Sequence, residues 1–101
     1  MPFIPAGKLS SLPPGSVVEF MAGEQPYAIS NWGGTVTALN GVCPHRGGPL
    51  GQGQLHDGRV ICPYHLWEFD CATGECSFDP AKRVATYEVK IENDEILIQV
   101  P

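Results

Sequence analysis

Short runs of alternating apolar and polar residues, cut off every few positions by glycine, proline or asparagine, recur along the whole chain. Residues 16–21 (SVVEFM), 35–39 (TVTAL) and 95–100 (EILIQV) are rich in β-branched and aromatic side chains and suit half-buried strands. Phe3-Ile4 opens a first strand, 9–12 is turn-like, and Pro13-Pro14-Gly15 stops it. Residues 16–21 and 26–30 form a hairpin across 22–25, Asn31-Trp32-Gly33-Gly34 turns the chain into 35–39, and Asn40-Gly41 ends that strand. Residues 51–55 lead through Asp57-Gly58 into 59–61 as a small hairpin. A strand at 66–70 turns at 72–74 and returns at 75–77, and 84–91 pairs with 95–100 across Asn93-Asp94. Helix is nearly absent, and the pattern predicts an all-β antiparallel fold.

Composition narrows the function. A chain of 101 residues is one domain, 1–101, with room for a modest core and none for a second catalytic unit. Six basic against eleven acidic side chains give a net charge of −5, which excludes the electrostatic footprint of a nucleic-acid or anionic-lipid binder and favours a basic patch on a protein partner. The first residues, MPFIPAGKLSSLPPGS, lack the basic start and apolar run of a signal peptide, and no stretch approaches membrane-spanning length. A cytoplasmic, monomeric protein is the expectation. No nucleophile constellation or nucleotide fingerprint points to catalysis.

The chemistry is concentrated in CPHRGGPLGQGQLHDGRVICPYH, residues 43–65. Two arms, Cys43-Pro44-His45 and Cys62-Pro63-Tyr64-His65, each offer a thiolate and an imidazole, with sixteen residues between His45 and Cys62. A tetrahedral zinc site usually draws both thiolates from one arm and both imidazoles from the other. With one of each per arm, side-by-side loops bring the thiolates to one point and the imidazoles to another, which suits two metal atoms. A [2Fe-2S] cluster with one iron on two cysteines and the other on two histidines has that arrangement.

At this point the chain resembles the Rieske family, whose pattern is C-x-H followed by C-x-x-H. The flanking residues match as well: CPHRGGPL from Cys43 to Leu50, CPYH from Cys62 to His65, then Trp67, Phe69-Asp70 and Thr73-Gly74. The resemblance implies an antiparallel β-sandwich or barrel scaffold, 1–40 plus 81–101, with a small β cluster-binding subdomain inserted at about 41–80. It implies one cluster per chain, with Cys43 and Cys62 on the inner iron and His45 and His65 on the outer. Pro80 would sit in a loop over the cluster, while Pro44, Arg46, Leu66 and Trp67 would flank the ligand histidines.

Gly47-Gly48 either frees backbone N–H groups for the bridging sulfides or permits a tight turn. High-potential relatives are similar to one another in carrying a disulfide at the positions of Gly48 and Tyr64, and hydroxyl donors at those of Trp67 and Phe69. Their absence here predicts the low end of the Rieske range of about −150 to +300 mV. Packing is the expected role of Trp67 and Phe69, a surface place that of His56, and free thiols the state of Cys71 and Cys76.

The function that the resemblance implies is a soluble ferredoxin, fed by a flavin-containing NAD(P)H-linked reductase and feeding a terminal oxygenase such as an aromatic-ring dioxygenase. The alternatives are a small Rieske subunit of an NADH-dependent nitrite reductase and, from another class, a zinc-stabilised interaction module.

Overall fold

Turns of two residues join several of the strands, so consecutive runs lie side by side and antiparallel. The computed structural model describes residues 2–44, 47–64, 66–79 and 81–100. Its strands are β1 (Phe3–Lys8), β2 (Ser16–Ala22), β3 (Gln25–Trp32), β4 (Thr35–Asn40), β5 (Gln54–His56), β6 (Arg59–Ile61), β7 (Glu68–Asp70), β8 (Thr86–Tyr87), β9 (Val89–Glu92) and β10 (Glu95–Gln99). They form three open sheets in the orders β1-β10-β9, β2-β3-β4-β8 and β5-β6-β7. The tight turns carry the expected chemistry. Asp57 and Gly58 have φ of 52° and 76°, and Asn93 and Asp94 of 49° and 66°, which gives two-residue hairpins the twist of their strands.

The β2-β3-β4-β8 sheet lies between two apolar clusters, and its central strands feed both. Tyr27 and Ile29 of β3 and Ala38 of β4 join Ala6, Leu12, Ile96 and Ile98 on one side. Ala28 and Leu39 join Leu50, Val60, Phe69 and the four cysteines on the other. A strand buried on both faces must satisfy its polar side chains internally. Within β3, the Ser30 hydroxyl pairs with that of Thr37 at 3.0 Å, and Asn31 donates to the Leu12 carbonyl at 2.8 Å while accepting from the Gly34 N–H at 3.0 Å.

Four expectations change. The first strand runs past Pro5 and Gly7 to Lys8, because it is an edge strand with a register shift between Pro5 and Lys8, where a missing donor is tolerated. The stretch 84–91 is two strands in two sheets: β8 pairs with β4 and β9 with β10, and between them the Glu88 carbonyl accepts from the Gln99 N–H. Trp32 continues β3 rather than turning, and a Cβ on Gly58 would stand 3.3 Å from its indole nitrogen, so the indole lies over the β5–β6 turn. Leu66 and Trp67 precede β7 instead of belonging to it.

Two glycines allow close approach here, Gly51 against the middle sheet and Gly53 within the third. A Cβ on Gly51 would come within 2.5 Å of the Glu19 Cα in β2, and one on Gly53 would collide with the Ile61 carbonyl oxygen. Gly51 also belongs to a short 3-10 turn, Leu50–Gln52.

Candidate metal centre

Each predicted ligand arm is a closed loop, and the two are built alike. Val42 bridges Pro49 in the first, and Ile61 pairs with Glu68 in the second. In both, the residue before the cysteine faces the residue six after it. The Cys43 N–H donates to the Gly48 carbonyl at 2.9 Å, and the Cys62 N–H to the Trp67 carbonyl at 2.8 Å. The carbonyl of Cys43 accepts from the Gly47 N–H at 2.7 Å, and that of Cys62 from the Leu66 N–H at 3.0 Å. Gly47 and Leu66 both take positive φ. The loops thus present their cysteines at equivalent points.

Their bases are fixed to the scaffold. The Asn40 side-chain oxygen accepts from the Val42 N–H at 2.9 Å, and the Gly41 N–H donates to the Pro26 carbonyl at 2.9 Å, with no room for a side chain at Gly41 against Pro26. The second loop grows directly from the β6–β7 pair.

Cys43 and Cys62 are each 1% exposed and share one apolar cluster with Leu50, Val60 and Phe69. Two thiolates buried there would each cost several kcal/mol without a cation, on the order of 5 kcal/mol or more. Iron supplies that countercharge, so this donor pair fits the sulfur-ligated half of a [2Fe-2S] cluster. His45, Arg46, His65 and Pro80 lie outside the described residues.

The other sequence expectations fall into place around this pair. Gly47 and Gly48 serve different ends: Gly47 supplies a φ of 71° and commits its N–H to the turn, whereas Gly48 supplies space beside the Cys62 sulfur. Phe69 is fully buried, and Trp67 packs against the same cluster with its ring centroid 6.2 Å from that of Phe78. His56 is exposed, and Cys71 and Cys76 are buried free thiols. Pro44, Tyr64 and Leu66 are exposed.

Sequence reasoning did not single out Val42, or the exposure of Phe78. Among the described residues, four of the eight large exposed hydrophobic side chains (Val42, Tyr64, Leu66 and Phe78) belong to the loops or pack against them, which concentrates apolar surface at this end. A groove of about 400 Å³, lined in part by Cys62, Pro63, Leu66 and Glu68, opens beside the second loop.

This combination of fold and paired cysteine loops agrees with the comparison to known families: the chain belongs to the Rieske [2Fe-2S] domain family, matched over residues 3–88. The family's cofactor is a Rieske-type [2Fe-2S] cluster. Among relatives, the ferredoxin component of biphenyl 2,3-dioxygenase from Rhodococcus jostii (strain RHA1) is 33% identical over 90 residues, covering 88% of this chain and 84% of that one. The ferredoxin component of the naphthalene 1,2-dioxygenase/salicylate 5-hydroxylase systems of a Ralstonia species is 30% identical over 99 residues, covering 97% and 95%. The solved ferredoxin of carbazole 1,9a-dioxygenase from Nocardioides aromaticivorans IC177 superposes with a TM-score of 0.87 over 97% of both chains at 26% identity. A Mycobacterium tuberculosis protein described as a putative NADH-dependent nitrite reductase small subunit shares the fold, with a TM-score of 0.87 at 23% identity over 99% of this chain and 96% of that one.

Proposed function

We propose that this protein is a one-electron carrier, a ferredoxin that takes electrons from a flavin-containing, NAD(P)H-linked reductase and delivers them to a terminal oxygenase of the aromatic-ring dioxygenase type. The observation that carries the reading is the pair of equivalent loops, each with a buried cysteine at its neck and apolar side chains exposed around it. When bound, a Rieske cluster supplies a reversible one-electron couple. The chain's part is to hold that couple, keep water from it and bring its edge to a partner.

Cys43 and Cys62 would hold one iron of the cluster and His45 and His65 the other, in a cluster-binding unit of about 41–80 set into a scaffold of 1–40 and 81–101. Phe69, Leu50 and Val60 close the inner side against water. Pro44, Tyr64 and Leu66, with Arg46 and Pro80 beside them in sequence, form the face that a partner meets. Carriers must release their partners, so the encounter buries less than about 1,200 Å². The protein works as a cytoplasmic monomer, away from nucleic acid and membrane; no described helix is long and apolar enough to cross one.

The relatives at 30–33% identity are named as ferredoxin components, which favours this reading over a nitrite reductase subunit, where the likeness is one of fold. The test is reconstitution: reductase, this protein and a candidate oxygenase, with substrate turnover followed as each is left out. Turnover that requires the protein supports the proposal. Turnover indifferent to it with every oxygenase tried, together with stimulation of an NADH-dependent nitrite reductase, would replace it by the second reading.

A further inference from the structure

Gly48 lies where the first loop closes against the second. A Cβ placed on it would stand 2.7 Å from the Cys62 sulfur and 3.1 and 3.2 Å from Cγ and Cδ2 of Tyr64. The space that a side chain would take at Gly48 is therefore already filled by two groups from the other loop. Its φ lies in the ordinary range, so glycine is required there for room and not for backbone conformation.

Tyr64 is 59% exposed, yet the base of its ring presses on Gly48, which is buried. Among the described residues its hydroxyl makes no hydrogen bond, so what the side chain contributes is the ring. Cys62, two residues earlier on the same loop, is almost completely buried and meets the same glycine. One aromatic ring thus spans from the second loop onto the first, beside the sulfur of the cysteine assigned as a ligand.

We propose that Tyr64 is a non-covalent clamp: its ring, seated on Gly48, fixes the spacing of the two ligand loops and shields the Cys62 sulfur from water. Tyr64 and Gly48 are positioning residues that act on the metal centre through Cys62. The proposal rests on Cys62 being a ligand and goes beyond the carrier reading by naming what holds the loops together where no covalent bond does.

Two consequences follow from removing the ring. Loops free to part release the cluster sooner. Water reaching the sulfur donates hydrogen bonds to it, stabilises the more negative reduced state and raises the potential. Loss of general stability would not by itself move the potential in that direction.

The test uses holoprotein of the wild type, Tyr64→Phe, Tyr64→Leu and Tyr64→Ala. It follows the decay of visible absorption in excess EDTA, the midpoint potential by direct electrochemistry, and the melting temperature. Tyr64→Phe is expected to match the wild type in decay and potential. Tyr64→Ala is expected to lose its cluster several-fold faster and to shift the potential upward; a tenfold gain in electron affinity would register as about 59 mV. Should Tyr64→Ala take up no cluster, Tyr64→Leu, which keeps apolar bulk without the ring, decides by the same two readings.

Wild-type decay and potential in the deciding variant would overturn the clamp while leaving the carrier reading intact. A Cys62→Ala control that retains a normal cluster would overturn the ligand assignment, and the clamp with it.

Discussion

Gly47 and Leu66 occupy the same place in two loops: each follows a buried cysteine by four residues, donates its N–H to that cysteine's carbonyl, and holds a positive φ, of 71° and 58°. Glycine adopts this conformation freely. A leucine pays on the order of 1–2 kcal/mol for it. Leu66 is also 65% exposed, so its side chain gains little from burial in return. An exposed apolar residue held in a strained conformation beside the second loop is the kind of feature that a docking role would account for.

Leu66→Gly therefore separates stability from function. The holoprotein's melting temperature is expected to stay level or rise, since relief of the left-handed backbone offsets the entropy of glycine, about 0.5–1 kcal/mol. Electron delivery to the oxygenase, followed by stopped flow, is expected to slow. Unchanged delivery would remove Leu66 from the docking face.

Gly53 is a second position where the side chain matters by its absence. A Cβ there meets the Ile61 carbonyl oxygen at the end of β6, directly before Cys62. Gly53→Ala is expected to destabilise the holoprotein by about 1–3 kcal/mol, the usual range for overpacking. Each kcal/mol lowers the melting temperature by about 4–8 °C in a domain of this size. A melting temperature within about 1 °C of the wild type would show that the backbone yields at no cost.

The environment beyond the second cysteine bears on the potential. Phe69 is fully buried and Trp67 packs into the same apolar cluster, so neither position offers a hydroxyl to a cluster sulfur. The expected midpoint lies at the low end of the Rieske range, below about +100 mV. Protein-film voltammetry reads it directly, and a higher value would require donors that these residues do not supply.

Charge sets the salt response. With a net charge of −5, association with a basic patch is expected to weaken as salt shortens the Debye length from about 10 Å at 0.1 M to 3 Å at 1 M. The rate of electron delivery should therefore fall between low and high ionic strength. A flat profile would point to docking through Pro44, Leu66 and their apolar neighbours alone.

Much of the fold was legible because turn chemistry is local. Asp57-Gly58 and Asn93-Asp94 turn as their residue types predict, and alternation located β2, β4 and β10. What alternation cannot carry is the identity of a strand's partner. The run 84–91 reads as one strand, but the chain crosses from one sheet to another at Glu88, a fact that lives in long-range pairing. The length of β1 was hidden for a related reason: Pro5 and Gly7 are breakers in a central strand but tolerated at an edge.

At the site, residue types and spacing singled out Cys43 and Cys62 as thiolates that meet at one point, and the resemblance implied that they lie on the inner side, where both are buried. The likeness of the two loops was not legible. Nothing about a leucine announces a left-handed backbone, and Gly47 and Leu66 share a role that only their hydrogen bonds reveal. That Tyr64 and Gly48 lie together was implied by the disulfide that high-potential relatives carry at these positions, but not that the ring and the Cys62 sulfur fill the space at Gly48, with fifteen residues between the two in the chain.

Cys43, Cys62, His45 and His65 are proposed to hold one asymmetric iron–sulfur cluster together. Anaerobic reconstitution of the wild type and of the four single alanine variants, read by iron and acid-labile sulfide content and by EPR after reduction, tests it most directly. About two irons and two sulfides per wild-type chain with a rhombic signal are expected, and loss of that signal in every variant. A colourless wild-type protein without iron or labile sulfide, or one that holds zinc instead, would contradict it.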